Sequence, residues 1–152
     1  MSKGNALPFS AAREVRDACL CLHLQRAARV VARRFDEALR PFDLTNHQIS
    51  LLMALNRPEP ASIGDVSSLL AVDRTTLTAN LKPLERRGLV RIAVDEEDRR
   101  SRRLALTAAG RARLAAALPA WRRTHAALER VLVRADPERL RTELRALSDP
   151  AT

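Results

Sequence analysis

The chain carries few groups that could make or break a covalent bond. Its two cysteines, Cys19 and Cys21, stand two apart, and its three histidines, His23, His47 and His125, are scattered. Neither set has metal-ligand spacing, and there is no nucleophile motif and no glycine-rich phosphate loop. The expectation is therefore no enzyme, no cofactor and no metal. What the chain does carry is polar and cationic groups at helical spacing. Arg74, Thr75, Thr76, Thr78 and Lys82 lie within nine residues, and Arg99, Arg100, Arg102 and Arg103 follow within five. Guanidinium pairs bidentately with guanine, a threonine meets a thymine methyl or a phosphate, and lysine neutralises phosphate. Arginine also enters narrow minor grooves. The competing reading of such a helix face is plain solvation, since charged outer faces are common.

These residues need elements to position them, and local signals supply them. Ser62 with Asp65 resembles a capping box, the shorter Asp standing where Glu or Gln is usual. A helix from there breaks at Ala71-Val72. Asp73 is a good N-cap for a second helix, and Gly88 a good residue to end it in the left-handed conformation. At about 100° per residue, Leu77, Leu81 and Leu84 share one face, and Arg74, Thr75, Thr78 and Lys82 the other. Pro83 removes one N–H and crowds the Ala79 carbonyl, which predicts a kink and a shortened groove-reading part. Leu89 to Val94 and Arg102 to Leu106 can pair as a hairpin. Between them run Asp95, Glu96, Glu97 and Asp98, then the arginines. The acids either hold the arginines in place or repel phosphate in a wrong register. The stretch reads as helix, turn, recognition helix and charged β-wing.

The flanks read as helices with more apolar surface than such a unit can cover. Residues 1–10 are polar and loose. From about Ala11 to Arg40 the pattern predicts one helix, with Val15, Leu22, Val31, Phe35 and Leu39 apolar and Pro41 ending it. Within it Cys19 and Cys21 would face about 200° apart and could not bridge. They are two small apolar fillers, or Cys21 is a redox group. Thr45 with Gln48 is a capping box for a helix through Asn56, with Ile49, Leu52 and Met53 inside. His47 in its first turn is a surface or packing histidine, or a ligand contact. Thr107 caps a helix to about Arg134, which Pro119 should bend. Leu114, Leu118, Trp121, His125, Leu128 and Leu132 form a heptad-like stripe on it. Trp121 is core, dimer seam or pocket wall; His125 is a packed histidine or a pH or metal sensor. Asp136-Pro137-Glu138 opens a last helix whose apolar face is Leu140, Leu144 and Leu147.

The 152 residues carry a formal net charge of +9, with a pI near 11.3. That balance argues for an anionic partner, nucleic acid or membrane surface. Aromatics are 3% with no tyrosine, which argues against single-strand binding by base stacking. No apolar run is long enough to span a membrane and no leader is visible, so a cytoplasmic location is expected. The fold class is mainly α with a small β-wing, a winged helix-turn-helix with long terminal helices forming a dimerisation region. Residues 11–152 form a single domain: 45–107 the DNA-binding part, 11–44 and 108–152 the dimerisation helices. A two-fold homodimer would set two recognition helices about one DNA turn apart, on a pseudo-palindromic double-stranded operator.

Residues 62–110 resemble the winged helix-turn-helix of the MarR family of bacterial transcription regulators. The resemblance rests on Asp73-Arg74-Thr75-Thr76-Leu77-Thr78, Leu84-Glu85-Arg86-Arg87-Gly88-Leu89-Val90, Asp95-Glu96-Glu97-Asp98-Arg99-Arg100 and Leu106-Thr107-Ala108-Ala109-Gly110, and extends less specifically over about residues 12–148. Helix face and resemblance together nominate Ser62, Arg74, Thr75, Thr76, Thr78, Lys82, Arg99, Arg100 and Arg102 as DNA contacts. The resemblance implies that Asp98 organises the wing, and that Arg100 either enters a minor groove or braces Asp73. It implies a repressor released by a small effector, with a pocket where the terminal helices meet the winged helix. Arg26, Arg29, His47 and Trp121 are the candidate lining, and the basic surroundings favour an anionic, aromatic ligand. Leu20-Cys21 with Ala27-Ala28-Arg29 is similar to the first helix of the family's organic-hydroperoxide sensors, whose tyrosines are replaced here by Gln25 and Phe35. The alternatives are a thiol-based regulator acting through Cys21, or an effector-independent winged helix that binds DNA or protein.

Overall fold

Capping side chains punctuate the chain in the computed structural model, which describes residues 7–149. The helices are α1 (Phe9–Ala18), α2 (Leu20–Leu39), α3 (Asn46–Ala54), α4 (Ile63–Leu70), α5 (Arg74–Arg86), α6 (Ala108–Glu129) and α7 (Pro137–Leu147). The strands are β1 (Ala61–Ser62), β2 (Val90–Val94) and β3 (Arg102–Leu106), and a 3-10 turn covers Arg40–Phe42. Thr45 and Ser62 both close reciprocal capping boxes, with Gln48 and Asp65. Asp73, Thr107 and Asp136 cap α5, α6 and α7 through their side chains. Each such cap satisfies N–H groups that the first helical turn leaves without partners. The architecture is mainly α with a small antiparallel sheet, as the sequence implies.

Several boundaries differ from expectation. The first long helix is two helices, because Cys19 adopts an extended conformation (φ −74°, ψ 108°) and its Sγ accepts the Leu22 N–H at 3.5 Å. Sulfur is a weak acceptor, so no capping signal stands out at Cys19 and the apolar pattern runs across the break. Helix α1 already starts at Phe9, inside the segment 1–10 expected to be loose; residues 1–6 lie outside the described residues. Residues α5 and α6 span, Pro83 and Pro119, do not end either helix. The recognition helix runs through Pro83 to Arg86, with Gly88 just beyond its C-cap as the sequence predicts. The sixth helix stops at Glu129, not Arg134, with turns from Arg130 to Ala135 that take Leu132 out of the helical stripe. Met53 points outward, 38% exposed, and Leu51 is buried in its stead.

The core sits between the winged-helix unit and the inner faces of α2 and α6. Phe35 and Leu39 of α2 and Leu114 and Ala117 of α6 join Ile49, Leu52, Val66, Leu77, Leu81, Leu84 and Leu104 in one cluster. Burying a leucine contributes about 1.5–3 kcal/mol relative to leaving it exposed. The sheet order is β1-β3-β2; Ala61 pairs with Leu104, and Val90 with Leu106. Strand β1 has only two residues, too short to show alternation. The terminal helices contribute little to this core: neither α1 nor α7 buries a residue. Their apolar side chains, Val15, Leu140, Leu144 and Leu147 among them, stay exposed.

The junction between wing and α6 explains the Leu106-Thr107-x-x-Gly110 motif. Thr107 Oγ1 donates to the Gly88 carbonyl at 2.6 Å and accepts the Gly110 N–H at 3.0 Å. The Thr107 N–H donates to the Leu89 carbonyl at 3.1 Å. One threonine thus ties the end of α5 to the start of α6, and Gly110 lets the α6 backbone close on Leu89.

Candidate nucleic-acid interface

Helix α5 is held at both ends. At its start Asp73 accepts the Thr76 N–H at 2.8 Å through Oδ1 and the Thr76 hydroxyl at 2.6 Å through Oδ2. Hydrogen bonding to Thr76 holds the Asp73 carboxyl below its ordinary pKa. At its end the Leu89 N–H reaches the Leu84 carbonyl and the Gly88 N–H reaches Glu85, with Gly88 at φ 69°. This paired closure is a Schellman motif, and it needs a residue at ease with positive φ. Leu77, Leu81 and Leu84 are 0–1% exposed and clamp the inner face. Arg74, Thr75, Thr76, Thr78 and Lys82 are left exposed outside.

Two carboxylates hold the wing, Asp98 as nominated from the sequence and Asp95 in addition. Asp95, only 8% exposed, accepts the Arg103 Nε–H at 2.6 Å and the Glu97 N–H at 3.0 Å. The Glu97 amide, then Arg103, hold its carboxyl low against the opposing effect of burial. Asp98 accepts the Arg100 N–H at 3.0 Å and the Ser101 hydroxyl at 2.8 Å, closing the turn. Asp73 makes no ion pair with Arg100 among the described residues; its oxygens are engaged by Thr76. Successive strand residues face opposite ways. Arg103 therefore braces the hairpin while Arg102 lies on the other face and folds its guanidinium onto the Arg99 and Ser101 carbonyls. The period-2 alternation of β3 was the signal that separates these two neighbours. Arg99 and Arg100 remain exposed.

Three concavities meet at Arg74. One of about 350 Å³ runs along α5 and is lined by Arg74, Thr75, Thr78, Ala79 and Lys82. A second, about 220 Å³, lies between α5 and the wing and brings Arg74 and Thr78 together with Ser62, Arg100 and Arg102. The third, about 580 Å³, lies between α4 and α5 and adds Arg57, Gly64, Ser67 and Ser68. Seven of the nine residues nominated from the sequence as contacts line this surface; Arg99 precedes Arg100 on the wing, and the Thr76 hydroxyl is bound to Asp73. Arg57 was not nominated, because it stands alone in a proline-rich connector without helical periodicity.

Residues 42–101 match the MarR family. Over most of its length the chain is similar to the M. tuberculosis transcriptional regulator MosR, solved in complex with DNA. Identity is 38% and the TM-score 0.77, covering 88% of this chain and 96% of that one. The chain belongs to the MarR family. It is also similar to the transcriptional repressor CouR bound to a 23-mer DNA duplex, at 30% identity and a TM-score of 0.79, covering 89% of this chain and 96% of that one. The transcriptional activatory protein BadR of Rhodopseudomonas palustris is 37% identical over 95 residues, 60% of this chain and 54% of BadR. The chain thus spans about half the length of the curated relatives it matches first. These relatives are regulators of transcription, and membership sets the chain apart from enzymes.

The residues nominated for an effector in this MarR-family chain lie at different places on it. His47 lines a cleft of about 180 Å³ with Ser50, Leu51, Leu70, Val72, Leu77 and Asn80. Trp121 is stacked instead between Phe35, 6.0 Å away, and His125, 4.9 Å away, at the junction of α2 and α6. Arg26 and Arg29 are exposed on α2, where Arg29 reaches Gln25 at 3.5 Å. The sequence could rank these residues by type, but helix packing separates them. Cys21 is exposed and accepts a hydrogen bond from Gln25 Nε2 at 3.2 Å. His125 Nδ1 lies 3.8 Å from Glu129, which also accepts Arg141 at 2.7 Å. No cluster of metal-binding side chains occurs among the described residues. No helix of the described residues is long and apolar enough to cross a membrane.

Proposed function

We infer that this chain is a sequence-specific regulator of transcription that binds a pseudo-palindromic DNA operator as a homodimer in the cytoplasm. The observation that carries the reading is the convergence of three concavities on Arg74, between a helix capped at both ends and a braced wing. A rigid helix with an exposed Arg, Thr and Lys face fits a major groove, and the wing arginines flank it for the adjacent minor groove. The exposed apolar faces of α1 and α7 are what a two-fold partner would cover.

The regulator acts as a repressor that a small anionic, aromatic effector releases. The ligand must favour a spacing of recognition helices that does not fit the operator; equal affinity for both spacings would shift nothing. The basic exposed surface of α2 and the aromatic stack at its junction with α6 support a ligand of that class. A second reading rests on the Gln25–Cys21 hydrogen bond, which gives Cys21 a polar partner where the family's peroxide sensors carry tyrosine. In that reading oxidation of Cys21 replaces the effector.

Selecting operators from random DNA with wild type and Arg74→Ala tests the reading. The substitution is expected to weaken specific binding by about 1–3 kcal/mol and relax one position per half-site. An unchanged preference removes Arg74 from base reading. Titrating the operator complex with aromatic acids under reducing conditions, then with an organic hydroperoxide, in wild type and Cys21→Ser, separates the two forms of control.

A further inference from the structure

We propose that the cavity between α4 and α5 is a phosphate socket, in which Arg57 grips the operator backbone beside the major groove while Arg74, at the rim, reads bases. The inference rests on the DNA-binding reading above and assigns to it a contact outside the recognition helix and wing. The cavity, about 580 Å³, is lined by Arg57, Gly64, Asp65, Ser67, Ser68 and Arg74. Neither guanidinium has a hydrogen-bonded or ion-paired partner among the described residues. The Asp65 carboxylate, the one anion in the lining, is turned to the Ser62 N–H in the capping box. Hydrogen bonds from Ser62, and to a lesser degree the charge of Arg57, favour the ionised form of Asp65, and with Arg74 the lining carries two cations against this one anion.

The lining contains a second, independent pointer to a ligand. Ser67 is 9% exposed, and its hydroxyl has no hydrogen-bond partner. A buried hydroxyl without a partner is uncommon and costly; Ser67 lines this cavity, and a turn about its χ1 would bring the hydroxyl to an oxygen lodged there. Gly64 lies against the Arg74 guanidinium: a Cβ there would stand 3.5 Å from Nη2, an ordinary contact. Flat, forked guanidiniums suit the paired oxygens of a phosphate. The occupant is a backbone phosphate because the cavity is continuous, through Arg74, with the two concavities along α5 and the wing. The first helix of a helix-turn-helix crosses the backbone at this side of the groove.

The division of labour is testable because phosphate and base contacts leave different signatures. Arg57→Gln should leave folding and the selected operator sequence unchanged. It should lower affinity roughly three- to tenfold at physiological salt and reduce the slope of log K against log salt by about one per half-site. Ser67→Ala should lower affinity in the same sequence-independent way. In wild type a methylphosphonate at one backbone position per half-site should reproduce the Arg57→Gln loss, and should add nothing to that variant. If wild type binds its operator but Arg57→Gln keeps the wild-type affinity and salt slope, the socket is wrong and the DNA reading stands. If wild type selects no DNA, both fall. If inorganic phosphate raises the melting temperature of wild type but not of Arg57→Gln, while their DNA salt slopes agree, the ligand is a free anion and the backbone assignment is overturned.

Discussion

Arg87, the C-cap of the recognition helix, is anchored on Asp43: its Nη2 lies 2.5 Å from the Asp43 carbonyl oxygen and 2.8 Å from Oδ2. Asp43 is held at φ 53° at the corner that follows α2, and Arg113 of α6 binds the neighbouring Phe42 carbonyl at 2.7 Å. The end of α5, the end of α2 and the first turns of α6 thus meet at one corner. A shift of α2 or α6 at this corner would bear directly on the end of the recognition helix.

Substitutions at Asp43 should separate charge from backbone conformation. Asparagine tolerates the left-handed region, so Asp43→Asn should cost no more than about 1 kcal/mol, because the Asp43 carboxylate is largely exposed. Asp43→Ala adds roughly 1–2 kcal/mol of left-handed strain. Urea denaturation should therefore rank wild type, Asn, Ala in falling stability. Equal midpoints for Asn and Ala would mean that the corner relaxes out of its positive φ.

Gly110 should resist the usual rule for helices. Alanine is favoured over glycine inside a helix by about 1 kcal/mol. Here an added Cβ would meet the Leu89 carbonyl oxygen at 2.1 Å, a backbone atom that cannot swing aside as a side chain would. Gly110→Ala should lower stability by about 1–3 kcal/mol, the range for overpacking, and loosen the wing against α6. A raised urea midpoint would refute the close approach.

Acid should loosen the wing and the start of α5. Asp95 and Asp73 both have depressed pKa values in the folded chain, from the Glu97 amide and Arg103, and from Thr76. A carboxylate with a lowered folded pKa adds stability above its unfolded value, about 3.9, and loses it as pH falls through the folded value. Hydrogen exchange in β2, β3 and the first turn of α5 should be flat from pH 7 to about 5 once corrected for intrinsic rates, then accelerate below about 4. In Asp95→Asn the acid-dependent part in the hairpin should shrink. A wing equally protected at pH 3 and pH 7 would show that these carboxylates contribute nothing.

The last helix supplies the test of the dimer. Leu144 is 37% exposed and Leu147 58% exposed in the single chain, so a charge at Leu144 has little intrachain packing to disrupt. Leu144→Glu should sediment as a monomer at micromolar concentration, keep its far-ultraviolet helix signal and lose operator binding. A monomeric wild type would remove the two-fold arrangement and the palindromic operator with it.

The sequence by itself determined what is decided within a few residues. Capping boxes at Thr45–Gln48 and Ser62–Asp65, the Asp73 cap and the Gly88 terminus depend on short-range hydrogen bonds, so residue type and spacing specify them. The burial of Leu77, Leu81 and Leu84 follows from a 3.6-residue period, and the basic outer face of α5 comes with it. Tertiary structure alone decided what depends on distant segments meeting. Asp95 and Arg103 pair across the hairpin, β1 joins β3 by two residues, and Gly110 closes on Leu89 because α6 must pack there. It also placed the isolated Arg57 beside Arg74 and kept His47 apart from Trp121. Such relations are set by how apolar faces pack, and packing geometry is not written in the local spacing of any one segment.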